Sequence, residues 1–317
     1  MKIQFKTIDP NTIKVEDIDL FVCAVGYESR STYSLQKLRR AGLSDSKLLI
    51  FAFQDCDTDE CARNNFLSIG IASDSCQKVP YSDSSIGTNK FESEVLRLQS
   101  EKIDKGITIL VDYSSMPRSL YCKLLEKVFS LRRRDDVFCF SYSHGDYSGT
   151  QQAQTAGIDR IGLYSGTPLL DSAGVRSHVI GLGYDSERSK ALYSFLDPQN
   201  LFVCFSYPKG NETLRQNLYE INDDVLQAAS HITHLYVDDF ESMIAKLTEI
   251  VLDLRKAGTV ILVPDGPKPA ILAFSILPLI IQANGVTCLK IYRHETAYHR
   301  ANVIPDKRIS GFLVEQF

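Results

Sequence analysis

The stretch VCAVGYESRS at residues 22–31 has a near-double, VIGLGYDSERS, at 179–189, and this repetition constrains the fold more than any other feature of the chain. Self-similarity at a long period signals a repeated structural unit, so it takes precedence over local secondary structure. Gly26 falls on Gly183 and Arg30 on Arg188, with one extra residue in the second copy. The match continues in order: KLLIFAF (47–53) with NLFVCFSY (200–207), GITILVDYSSMPRSL (106–120) with GTVILVPDGPKPAIL (258–272), and VFCFSYSHGDY (137–147) with VTCLKIYRHETAY (286–298). The last two matches place Pro117 on Pro269, Tyr142 on Tyr292 and His144 on His294. Colinear offsets of 149 to 158 residues indicate a unit of about 150 residues written twice. A length of 317 residues also predicts two domains rather than one core.

Within each copy the apolar runs are short, continuous and rich in Val, Ile, Leu and Phe, as in strands buried on both faces of a parallel sheet. Between them lie helical stretches: STYSLQKLRRAG, NKFESEVLRLQSEK, RSLYCKLLEKVFSLRRR and, in the second copy, FESMIAKLTEIVLDLRKAG. The expected fold is α/β: two tandem Rossmann-like lobes with mainly parallel sheets, over residues 1–170 and 171–317, an internal duplication forming a pseudo-dimer. The boundary is set by the turn-forming SGTPLLDSAGVRSH (165–178); GIDRIGLYS and DKRISGFLVEQF are strand-like segments closing the two copies.

Composition narrows the class. Apolar residues make up 44% and charged residues 23%, as in ordinary globular chains. The net charge of −4 gives no broad footprint for duplex nucleic acid. Arg132, Arg133 and Arg134 read as a helix C-terminus, where cations are favoured. No run reaches the ~20 apolar residues of a membrane span; AILAFSILPLIIQA (270–283) reads as a buried helix. The eight cysteines have no metal-ligand spacing, and Cys23, Cys139, Cys204 and Cys288 lie in apolar β-like runs, which fits a reduced, cytoplasmic protein. No cofactor or metal is predicted.

In open parallel sheets ligands bind beyond the carboxyl ends of the strands. There the first copy places Tyr27, Glu28 and Arg30, then Asp112, Ser114, Ser115 and Arg118, then Tyr142 and His144. The second places Tyr184, Asp185 and Arg188, then Asp265, Gly266 and Lys268, then Tyr292 and His294. These residue types suit a phosphorylated, hydroxyl-bearing ligand. The turn DYSSMPRS opens a helix whose free N–H groups make an anion site, with Ser114 and Ser115 as donors and Arg118 or Lys268 as the cation. Glu28 and Asp112 suit sugar hydroxyls or a water, and Tyr27 and Tyr184 a stacked base. Structural readings stand beside these: a helix cap for Ser114 or Ser115, a surface ion pair for Glu28 and Arg30, turn glycines for Gly26 and Gly183, and a structural role for either histidine. GxGxxG, GxxxxGK[ST] and GxSxG are absent, which weakens dinucleotide, P-loop and α/β-hydrolase readings.

VPDGPKPAILA resembles the glycine- and lysine-bearing turn after the fourth strand of CARF domains, the CRISPR-associated Rossmann-fold sensors of cyclic oligonucleotides, with Lys268 at the turn lysine. VDYSSMPRSLY is a more distant version in which Arg118 is the nearest cation. Related SAVED domains look like two such units in one chain. Pro264 and Asp265 stand where that family has Thr and Gly, and the acidic GYE and GYD turns are not typical of it. The resemblance implies a signalling-nucleotide sensor in a bacterial defence or stress pathway that reports to a partner effector protein.

Three functions fit these residues: a module binding a phosphorylated nucleotide-type ligand between the lobes; a hydrolase or transferase acting on a nucleotide or sugar phosphate, with Glu28 or Asp112 as the catalytic acid group, Arg30 or Arg118 as anion clamp and His144 as proton donor; or a protein-binding scaffold.

Overall fold

A computed structural model describes residues 3–53, 56–80, 83–146, 158–166, 174–183, 185–293 and 303–316. The chain forms two compact units, Met1–Gln151 with Arg300–Phe317, and Gln152–His299. Each is an α/β unit built on a mainly parallel sheet.

In the first unit the elements are β1 (Ile3–Ile8), β2 (Leu20–Val25), α1 (Tyr33–Arg40), β3 (Leu48–Phe53), α2 (Glu60–Ile69), β4 (Gln77–Val79), α3 (Ser85–Glu101), β5 (Thr108–Asp112), α4 (Arg118–Leu131) and β6 (Val137–Asp146). In the second they are β7 (Ile158–Gly166), β8 (Val175–Leu182), α5 (Ser186–Leu196), β9 (Asn200–Tyr207), α6 (Glu212–Ile221), α7 (Asp223–Gln227), β10 (His231–Tyr236), α8 (Phe240–Arg255), β11 (Gly258–Val263), α9 (Lys268–Ile281) and β12 (Val286–Arg293). The last strand, β13 (Ile304–Gln316), returns to the first unit.

The sheet orders are β1-β13-β6-β5-β2-β3-β4 and β10-β9-β8-β11-β12-β7. Both contain five parallel strands in the order third, second, first, fourth, fifth, flanked by an antiparallel strand on the fifth. All six residues of β2 are buried, which matches the continuous apolar run of a strand covered on both faces. On one face Phe21, Cys23 and Val25 pack with Leu35, Ala62 and Phe66; in the second unit Ile180, Leu182, Val203 and Phe205 pack with Leu192, Leu218 and Val225. In α9 every residue from Pro269 to Pro278 is buried, the expected fate of a helix apolar all round. Arg133 donates to the Gln99 and Lys102 carbonyls at the end of α3 and pairs with Asp136, so this arginine serves a helix end.

The units differ from the contiguous halves 1–170 and 171–317. β7 follows β6 in the chain but pairs with β12, and β13 follows β12 but pairs with β6 and β1. The exchange is invisible in composition, because an antiparallel strand satisfies whichever sheet edge has open hydrogen bonds.

Register also shifts the match between the two sheets. Cys23 pairs with Asp112 and Ile180 with Val263. With Gly26 set on Gly183, Asp112 therefore stands with Val263 and Ser114 with Asp265, one residue away from the match that placed Pro117 on Pro269. By the same reckoning Tyr142 corresponds to Lys290 and His144 to Tyr292. Shared prolines and tyrosines suggested the earlier pairing; backbone hydrogen bonds decide the register.

Phe312 of β13 is 1% exposed and stacks on Phe140 at 5.4 Å between centroids. Phe312→Ala is expected to destabilise the protein by about 3–5 kcal/mol, read by urea denaturation.

Candidate functional site

The order of each sheet reverses between its first and fourth strands, so the crevices of interest lie beyond β2 and β5 in one unit and beyond β8 and β11 in the other. Gly26 and Gly183 end the first strands, and neither has a positive φ. What they supply is space. A Cβ on Gly26 would come 3.0 Å from the Phe53 ring, and one on Gly183 would come 2.9 Å from the Gly266 Cα. Gly266 itself has φ +100°, a conformation that favours glycine.

In the first unit the chain leaves β2 and makes a 3-10 turn, Ser29–Thr32, that buries Arg30 to 3% exposure. Its guanidinium donates to both Glu28 carboxylate oxygens, at 2.8 and 3.3 Å, and to the Tyr142 hydroxyl at 2.8 Å. Ser115 Oγ donates to Glu28 Oε2 at 3.2 Å. Below them Asp112 Oδ1 accepts from the backbone N–H of Ser114 at 2.9 Å and from the Ser114 hydroxyl. Ser114 Oγ in turn accepts from Ser143 N at 2.7 Å, and Ser143 Oγ lies 2.8 Å from Ser34 Oγ. Asp112 Oδ2 is buried with no hydrogen-bond partner. Burial pushes the Asp112 carboxyl above the usual range, opposed by the Ser114 and Ser34 hydroxyls, the Ser114 N–H and the Arg30 charge.

The second unit reaches a similar end with different groups. Arg188, 6% exposed, donates to both oxygens of Asp265, at 3.0 and 2.6 Å, and to Asp185 at 2.8 Å. Asp265 is fully buried, and Asp185 also caps α5 by accepting from Arg188 N at 3.0 Å. Asp265 takes the place that register assigns to Ser114, so this unit meets its arginine with two carboxylates where the first uses a carboxylate and a tyrosine.

Several expected ligand residues therefore sit inside the turn. Arg30 and Arg188 are spent on their own acids, and the Glu28–Arg30 pair is a buried ion pair rather than a surface one. Ser114, Asp112 and Asp265 are at most 2% exposed. His144 is 4% exposed, lies 2.8 Å from Ser310 Oγ and packs edge-on against Tyr142. Tyr27, Glu28, Ser115 and Arg118 in one unit, and Asp185, Gly266 and Lys268 in the other, are half-buried and line the rims. Tyr184 and His294 lie outside the described residues. Two asparagines complete the turns. Asn65 Nδ2 donates to the carbonyls of Gly26 and Glu28, at 2.7 and 3.0 Å, and Asn222 Nδ2 donates to the Gly183 carbonyl at 3.2 Å. Asn65 has a sequence signal, since it lies on the buried stripe of α2 with Ala62, Phe66 and Ile69.

Among the described residues no helix is long and apolar enough to cross a membrane, and no group of three His, Cys, Asp or Glu is placed to hold a metal. No family model and no curated protein matches the chain. Among solved structures, one described as a universal stress protein of Pseudomonas aeruginosa UCBPP-PA14 aligns over 87% of this chain and 93% of that one, with 11% identity and a TM-score of 0.22. That score does not define a common fold, and the Rossmann-like character rests on the strand order of the sheets.

Arg188→Met takes the guanidinium away from the fully buried Asp265, and is expected to cost about 3–5 kcal/mol in urea denaturation. For Asp112 the folded-state pKa lies above the unfolded one, so its contribution is intact below the unfolded pKa and is lost as pH rises through the folded pKa. Asp112→Asn removes that loss: the difference in melting temperature between variant and parent should move in the variant's favour as pH rises from about 3 to 7.

Proposed function

We propose that the rims beyond β2 and β5, and beyond β8 and β11, bind a phosphorylated, hydroxyl-bearing small molecule of the nucleotide class. One observation carries this reading. In both units the helix after the fourth strand opens beside the arginine–acid turn, with a cation at its first position and no acid in its first turn: Arg118 on α4 and Lys268 on α9. A cation at a helix N-terminus opposes the macrodipole, and the same opposition occurs twice. A bound phosphate would meet both the cation and the N-terminal end of the helix dipole. The buried arginines then act as struts that hold Glu28 and Asp185 at the rim, where carboxylates suit ribose hydroxyls.

The form implied by the CARF-like turn is a signalling-nucleotide sensor that passes its bound state to a partner protein. A turnover reading is favoured by one contact, Ser115 Oγ on Glu28 Oε2, a hydroxyl beside a carboxylate at the solvent-facing side of the cluster. In that reading Glu28, rather than the more deeply buried Asp112, is the acid group, with Ser115 beside it in place of His144.

Thermal shift against a panel of mono-, di- and cyclic nucleotides should reveal a stabilising ligand. Arg118→Ala and Lys268→Ala should each reduce the shift, and the double variant should abolish it; an unchanged shift in the double variant would overturn the phosphate site. If chromatography shows the ligand being converted, Glu28→Gln should stop conversion and keep the shift.

A further inference from the structure

Residues 303–316 enter the first unit from the end of β12, a strand of the second, and fill the gap between β1 and β6. Both edges of the segment are used. Six residues, Ile8 to Ile3, pair with Gly311 to Gln316, and β6 pairs across the other edge from Ile304 to Val314. Both faces are covered as well. Phe312 and Val314 are 1% and 3% exposed, Phe312 lies between Phe140 and Phe5 at 5.4 and 5.6 Å, and Leu313 packs on the opposite core. Gly311 is fitted by shape, since a Cβ there would lie 2.4 Å from Pro10 Cγ and 2.8 Å from the Phe140 carbonyl oxygen.

The segment also supports the candidate site. The Val303 carbonyl accepts from Arg30 N at 3.1 Å, the Lys307 carbonyl accepts from the Tyr33 hydroxyl at 3.2 Å, and Ser310 Oγ lies 2.8 Å from His144 Nε2.

We infer that residues 303–316 act as a donor strand: the first unit has a strand-wide gap that an extended segment of this sequence completes, and the segment occupies the gap equally when supplied in trans. The recognition is β-augmentation on two edges at once, with main-chain hydrogen bonds giving affinity and alternate side-chain pockets giving specificity. The Phe5–Phe140 slot selects an aromatic at 312, and the Pro10 contact selects glycine at 311. The chain leading into β13 comes from the other unit, so no tight hairpin ties this strand to either of its neighbours.

The test begins with the full chain carrying a protease recognition sequence inserted between Arg293 and Val303, folded and then cut. The C-terminal fragment should stay bound on size exclusion. Incubation with excess fluorescent peptide 303–316 should transfer label to the protein and release the fragment. A Phe312→Ala peptide should bind at least ~100-fold more weakly, and a Gly311→Val peptide should not label at all. Melting temperature of the cut protein should rise with peptide concentration as mass action requires. Release of the fragment without uptake of peptide, or equal labelling by the Gly311→Val peptide, overturns the inference. A second variant, the uncut chain with Gly311→Val, should melt lower than the parent and recover on addition of the parent peptide. Label and melting are read without nucleotide, so failure here leaves the phosphate-site reading untouched.

Discussion

A guanidinium taken almost wholly out of water has to be neutralised where it stands, and the turns that end β2 and β8 are organised around that requirement. Arg30 recruits Glu28 and Tyr142, and Arg188 recruits Asp185 and Asp265. Each arginine thereby ties the end of the first strand to another part of its sheet: to β6, one strand beyond the neighbouring β5, in one unit and to the turn after β11 in the other. The backbone follows. Carbonyls freed at the strand ends are taken up by Asn65 and Asn222, and the glycines at 26 and 183 leave room for the neighbouring chain. These turns are therefore held by buried ion pairs as well as by packing.

In the proposed reading, a rim acid held by an arginine beneath it would be the acceptor for ligand hydroxyls, and the helix that starts alongside would supply the cation. The two units solve the same problem unequally. The first keeps two serine hydroxyls, a tyrosine and a buried carboxyl whose pKa burial raises in its network, whereas the second closes its arginine between two acids. The first unit therefore carries the richer hydrogen-bonding chemistry, and β13 braces it.

Much of this was legible in the chain itself. Continuous Val-, Ile- and Phe-rich runs separated by helical stretches reveal a parallel sheet, because strands covered on both faces cannot alternate. The GYE and GYD turns read as the ends of the first strands, because each follows a continuous apolar run. What stayed hidden was the direction in which each polar side chain faces. Glu28 and Arg30 read equally as ligand groups or as a surface pair, and only the position of Tyr142, over a hundred residues away, shows that the arginine is buried and the pair internal. Ser114 and Asp265 look unrelated in sequence, yet the register places them at equivalent positions of the two separate sheets.

The sequence by itself determined the alternation of strands and helices, the strand-end turns and the cations at the starts of α4 and α9, since these follow from local periodicity and from residues adjacent in the chain. The tertiary structure alone decided that β7 and β13 exchange sheets, that the arginines face inward, and that Asp112 is sealed beneath Ser114. Those outcomes depend on which unpaired edge and which buried charge lie nearest in space, and neither quantity is written in the order of residues.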